Sequence, residues 1–146
     1  MQKVIYTIGH FTKTLDEFIT LLQTFSIQML VDVRSYPGSR RYPYFNKENI
    51  LKVLPARDIF YLHIPYLGGK RKTSCQSKNT AWKNEAFRGY ADYMETDEFK
   101  KGIDELTQTG TNYRTAFMCS EAVWWRCHRS MIADYLKAGG WGVYTF

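Results

Sequence analysis

The sequence predicts an α/β fold: a single three-layer domain over residues 1–146, with a mainly parallel sheet of about five strands flanked by helices. Three observations carry that prediction. Short runs rich in β-branched and aromatic residues alternate along the chain with segments of helical periodicity. Within residues 28–33, Met29, Leu30 and Val31 are apolar in succession rather than alternating, as in strands covered on both faces of a parallel sheet. The chain of 146 residues has the length of one domain, is long enough to bury a core, and shows no internal repeat or low-complexity tract.

Taken in order, residues 3–8 are β-branched and aromatic and predict the first strand, closed by Gly9-His10. Thr14 then caps a helix over residues 15–24, and Glu17, three residues on, completes a capping box. Leu15, Phe18, Ile19 and Leu22 follow helical spacing. Residues 28–33 form the second strand, with Asp32 inside it and Arg34 at its end. Residues 34–45 contain Pro37, Gly38 and Pro43 and predict an irregular loop. Asn46 caps a short helix near residues 47–54. Residues 59–64 predict the third strand, ended by Pro65. The stretch from Tyr66 to about Asn79 is glycine-rich, then basic, then polar, and predicts the longest irregular segment and a mobile flap. Helices follow over residues 84–94 and 96–108, the second capped by Thr96 with Asp97 and Glu98 in its first turn. Residues 114–119 are the fourth strand. A helix from about residue 125 carries Met131, Ile132, Tyr135 and Leu136 on one face and ends at Gly139-Gly140. Residues 141–146 are a closing strand.

Composition narrows the function classes. Apolar residues make up 45% and charged residues 23%, as in an ordinary globular domain. Aromatics reach 16%, which suits either ring-rich packing or a stacking surface for bases or sugars. The net charge of +6 favours an anionic small molecule or nucleic acid as partner. Cys75, Cys119 and Cys127 are three cysteines, so no scheme pairs them all. The chain opens with no charged and apolar leader pattern and has no stretch of roughly 20 apolar residues. These features predict a cytoplasmic protein with reduced thiols and no membrane association.

The chemistry gathers at one strand-to-helix turn. Cys119 ends the fourth strand, Glu121 follows, and the next helix opens with Arg126, Cys127, His128 and Arg129. A thiol before a helix N-terminus and near guanidiniums is biased toward thiolate, the nucleophilic form. Alternatively, Cys119 is a small buried residue. Glu121 suits a general acid or base, or a partner for Arg126. His128 suits a proton shuttle, or a donor that fixes the turn. Arg126 and Arg129, three residues apart, suit a phosphate or carboxylate, or pair with Asp32 or Glu121. A Cys-to-Arg anion loop between strand and helix is similar in layout to cysteine phosphatases and rhodaneses, but six residues separate Cys119 from Arg126, one or two more than in that pattern.

The remaining groups converge on the same edge. In a parallel sheet, His10, Arg34, His63 and Cys119 all end strands on one side, where open α/β sheets bind ligands. Arg40, Arg41, Lys70, Arg71 and Lys72 on the adjoining loops are either a solvated charge run or the rim of an anion-attracting mouth, with Tyr36, Tyr42, Tyr44 and Phe45 among them. No Cys-x-x-Cys or His-x-x-x-His pair is present, so neither a metal site nor another cofactor is expected.

Several motifs together resemble one family. They are Tyr6-Thr-Ile-Gly-His10, Val31-Asp-Val-Arg-Ser35 with Pro37, Ser39 and Arg40, Phe45-Asn46, Leu67-Gly-Gly69, Tyr90-Ala-Asp-Tyr-Met94, and Met118-Cys-Ser-Glu121 through Cys127-His-Arg129. In this order they resemble the DUF488 family of uncharacterised prokaryotic proteins over nearly the whole chain. Two departures stand out. Phe11 occupies the place where the family usually has Ser after Gly-His, and the Val123-Trp124-Trp125 loop is bulkier than the family's. The resemblance implies a family with cysteine motifs of enzymatic type and an unassigned reaction.

The combined expectation is an enzyme acting on a phosphorylated or nucleotide-like substrate, a cysteine-dependent hydrolase or transferase. Cys119, Glu121 and His128 are its catalytic residues. His10, Asp32, Arg34, Ser39, Arg40, Asn46, His63, Arg126 and Arg129 are its substrate-binding residues. The alternatives are a non-enzymatic nucleic-acid-binding module and a turn whose Cys127, His128 and Arg129 only lock the last helix to the sheet.

Overall fold

The computed structural model describes residues 3–10, 13–35, 37–38, 43–69, 85–119 and 128–146. Strands β1 (Val4–Gly9), β2 (Met29–Asp32), β3 (Phe60–His63), β4 (Thr115–Cys119) and β5 (Gly142–Thr145) form one sheet in the order β3-β2-β4-β1-β5. Every neighbouring pair in it is parallel. The helices among the described residues are α1 (Leu15–Thr24), α2 (Lys47–Val53), α3 (Glu85–Tyr93), α4 (Asp97–Asn112) and α5 (His128–Ala138).

The strand order explains the layers. The chain steps one way along the sheet through α1 and α2, then the other way through α3, α4 and α5. Right-handed crossovers place helices of opposite steps on opposite faces. The core divides accordingly. Phe18, Ile19 and Leu22 of α1 and Ile50 of α2 pack with Ile8, Leu30, Ala116 and Met118. Phe99, Ile103 and Leu106 of α4 and Ile132 and Leu136 of α5 pack with Ile5, Val31, Phe117 and Cys119. β4 supplies alternate side chains to the two clusters, as strand geometry requires, and all five of its residues are buried.

Local signals shape the elements. Thr14 and Glu17 form the predicted capping box: Thr14 Oγ1 accepts from Glu17 N at 3.1 Å, and Glu17 Oε1 accepts from Thr14 N at 3.2 Å. Thr96 caps α4 by accepting from Phe99 N. Asn46 occupies the N-cap of α2, but its side chain makes no capping hydrogen bond. The predicted loop over residues 34–45 includes a short 3-10 turn at Pro43–Phe45.

α4 runs past residue 108, where the sequence predicts its end. Thr109 and Thr111 bond their hydroxyls to carbonyls one turn back. Gly110 lets the last turn lie against Trp141 and Ile5. α5 ends as predicted. Gly140, at φ 94°, lets Gly140 N donate to Lys137 O and Trp141 N donate to Leu136 O, so the helix turns directly into β5. Among the described residues no helix is long and apolar enough to cross a membrane.

β4 lies between β1 and β2, and the connections leaving β1 and β2 take the opposite face from the one leaving β4. Such a reversal opens a crevice at the carboxyl ends of the strands.

Candidate functional site

The strand ends meet as the sequence predicts. Gly9 pairs in register with Cys119, and His10 N donates to Cys119 O at 3.1 Å. Asp32 pairs with Met118 on one side and His63 on the other. Val33 N donates to Met118 O, extending β2 past its last ladder residue. His10, Asp32, Arg34, His63 and Cys119 therefore occupy one edge of the sheet.

Arg34 is fixed from several directions. Its Nε donates to Asp32 Oδ1 at 2.8 Å and its Nη2 to Asp32 Oδ2 at 2.7 Å, a bidentate ion pair. Its backbone N donates to Asp32 Oδ1, and Tyr61 Oη donates to Asp32 Oδ2 at 2.5 Å. Burial works against the Arg34 charge, but Asp32 outweighs it and raises the guanidinium further above its ordinary pKa. Burial, reinforced by the Asp32 charge, likewise pushes the Tyr61 phenol up. The backbone is clamped as well. His63 Nε2 donates to Arg34 O at 2.6 Å, and His128 Nε2 donates to Val33 O at 2.9 Å. Both contacts fix the tautomer, because a carbonyl only accepts. Gly68 and Gly69 close the clamp: a Cβ on the first would run into Ser35, and one on the second into the His128 ring.

The second guanidinium belongs to Arg129, which is fully buried. Its Nε donates to Cys119 Sγ at 3.2 Å and its Nη1 to Thr7 Oγ1 at 2.9 Å. Thr7 Oγ1 in turn donates to Phe117 O. One α5 side chain thus reaches both β4 and β1. Cys119 is buried, only 2% exposed.

His10 connects the two groups. Its Nε2 lies 3.5 Å from Arg34 Nη1, and its ring stacks on Phe45 at 4.2 Å between centroids and 7° between planes. Burial, with the Arg34 charge second, lowers its pKa to about 4, so the imidazole is neutral near pH 7. Lys13 folds back onto the same edge, its Nζ donating to Gly9 O at 2.9 Å.

Among the remaining predicted residues, Asn46 lines a cavity of about 400 Å³ with Pro37, Gly38, Lys47 and Glu48. Ser39, Arg40, Glu121 and Arg126 lie outside the described residues, as do Cys75, Cys127, Arg41, the basic residues 70–72 and most of the stretch read as a flap. Among the described residues no group of three or more His, Cys, Asp or Glu could hold a metal ion. Sequence reasoning missed Thr7, Lys13 and Tyr61. Thr7 and Tyr61 sit inside apolar strands with no local signal of a role. Lys13 is one residue before a helix cap and reads as an ordinary turn lysine.

The family model described as a domain of unknown function, DUF488, matches residues 14–136. The matched span takes in Asp32, Arg34, His63, Cys119, His128 and Arg129, while His10 precedes it. Comparison with curated proteins and with solved structures finds no match.

Proposed function

The chain belongs to the DUF488 family, and on that footing we propose a cysteine-dependent enzyme, a hydrolase or transferase, acting on a phosphorylated or nucleotide-like substrate. The observation that carries the reading is the hydrogen bond from Arg129 Nε to Cys119 Sγ at the carboxyl end of the central strand. A guanidinium donating to sulfur favours thiolate over thiol, and thiolate is the attacking species. In the proposed step Sγ attacks phosphorus, an S–P bond forms, and the P–O bond to the leaving group breaks. Water or a second acceptor then takes the phosphoryl group.

The other residues divide into roles. Arg34 presents Nη1 toward His10, with Nε and Nη2 engaged by Asp32, and it binds the substrate anion. Asp32, His63 and His128 position it. Neutral His10 suits a general base that takes the proton of the water or acceptor receiving the phosphoryl group. Glu121, Ser39, Arg40 and Arg126 complete the proposal as a proton-transfer group and three anion contacts. Asn46, beside Phe45, borders the substrate. A thiolate enzyme of this kind suits a reducing, cytoplasmic setting.

The test is thiolate absorbance near 240 nm in a chain with Cys75 and Cys127 replaced by Ser. Cys119 is expected to titrate well below the ordinary thiol value of about 8.5, and Arg129→Met to move it upward. A titration at or above the ordinary value overturns the nucleophile. The net charge of +6 favours a second reading, a nucleic-acid-binding module. That reading requires binding that weakens steeply with salt and is indifferent to Cys119→Ser.

A further inference from the structure

We propose that Lys13 is an anion-binding residue of the crevice, a cation that joins Arg34 in receiving a tetrahedral oxyanion such as a phosphate group. The inference rests on the anion-site part of the reading above and names a contact that neither the motifs nor the family match assigns; residue 13 lies just outside the matched span.

The geometry is unusual for a turn lysine. Lysine ammonium groups are strongly hydrated and ordinarily extend into water. Lys13 instead turns back toward β1: its Nζ donates to Gly9 O at 2.9 Å, and its backbone N donates to His10 O at 3.0 Å. Gly9 is the register partner of Cys119, so the ammonium is anchored at the strand pair that ends in the thiol. An ammonium carries three N–H groups. One is engaged by Gly9, and among the described residues no carboxylate forms an ion pair with Lys13. Glu17, its acidic neighbour, is engaged in the capping box of α1.

The charge environment agrees. Partial burial lowers the Lys13 pKa first, and the positive charge of Arg129 lowers it further. Two cations close enough to repel, one partly and one fully buried, are both stabilised by an anion bound at the more exposed one. Lys13 is the more exposed of the two and keeps donors for such a group.

The alternative is a tether, in which the ammonium only ties the turn to Gly9. Lys13→Gln separates the two, because the amide can still donate to Gly9 while the charge is gone. The experiment is calorimetric titration of the whole chain with inorganic phosphate at low ionic strength. The proteins are wild type, Lys13→Gln, Lys13→Arg, Cys119→Ser and Lys52→Met, the last a control on the exposed face of α2.

Lys13→Gln is expected to bind phosphate about tenfold more weakly, with Lys13→Arg keeping most of the affinity. Lys52→Met is expected to match wild type. Unchanged affinity in Lys13→Gln, with or without a lower melting temperature, overturns the inference and leaves the thiolate reading standing. Absence of phosphate binding in wild type overturns it too. Phosphate binding that survives Cys119→Ser and falls in Lys13→Gln supports Lys13 whether or not Cys119 is a nucleophile, since the absorbance titration reports on the thiol separately.

Discussion

Two guanidiniums are buried at the same sheet edge, and they are held by different chemistry. Arg34 has a carboxylate: Asp32 grips it with both oxygens and is itself steadied by Tyr61. Among the described residues Arg129 donates to a thiol sulfur and a hydroxyl, Cys119 and Thr7. The two-point grip holds the Arg34 guanidinium in one fixed orientation. A thiol can take either form, so the Arg129 contact couples the protein's packing to the state of a reactive atom. The difference separates a binding group held rigidly in place from a group that tunes.

Removing one partner of each pair tests this most severely. Asp32→Ala strands a buried guanidinium and a phenol, and should cost about 3–5 kcal/mol in a denaturant melt. Arg129→Met should cost less, about 2 kcal/mol, because the thiol left behind can simply hold its proton and the methionine fills much of the volume. Equal losses would erase the distinction. A larger loss for Arg129→Met would support the reading in which this helix is merely locked to the sheet.

Acid should break the Arg34 side selectively through His10. In the fold its pKa is about 4, against 6.5 unperturbed, so the native state favours the neutral ring. The unfolded chain then binds more protons between those values. The contribution is complete above pH 6.5 and is lost as pH falls toward 4. The full span corresponds to about 3 kcal/mol. Charging His10 places a second cation against Arg34 Nη1. His10→Asn should flatten the stability slope over this window in parallel melts at stepped pH. An unchanged slope removes His10 as its source.

Much of the fold was legible because its causes are local. The capping box at Thr14 and Glu17, the apolar run of β2 and the Gly140 turn each act within a few residues. The convergence of His10, Arg34, His63 and Cys119 was legible for a topological reason: a parallel sheet puts every strand's carboxyl end on one edge. The wiring within that edge was not. Sequence offers Asp32 or Glu121 as an acid for Arg126 and Arg129, and Asp32 folds around its near neighbour Arg34. His128 reads as a proton shuttle or as a backbone donor that fixes the turn, and the carbonyl its Nε2 meets is Val33 O on the neighbouring strand's extension, a partner the local sequence does not name. Tyr61 and Thr7 enter from strands whose place in the order β3-β2-β4-β1-β5 is set by the whole packed core, which no local pattern encodes.

The mildest probes remove one hydroxyl from each cluster. Thr7→Val deletes a fully buried acceptor from Arg129 and should cost about 2 kcal/mol. Tyr61→Phe deletes one donor to Asp32, which keeps both guanidinium contacts and the Arg34 backbone N. Because Tyr61 is only partly buried and water can reach the vacated position, the loss should be smaller, about 1 kcal/mol. The informative comparison is what else moves. If the Arg34 cluster is independent of the thiol, Tyr61→Phe should leave the Cys119 absorbance titration where it is. If Arg129 is the tuning contact, Thr7→Val should shift that titration, since the guanidinium loses the hydroxyl that helps hold its Nε on sulfur. A titration moved by Tyr61→Phe and not by Thr7→Val would reverse the assignment of roles.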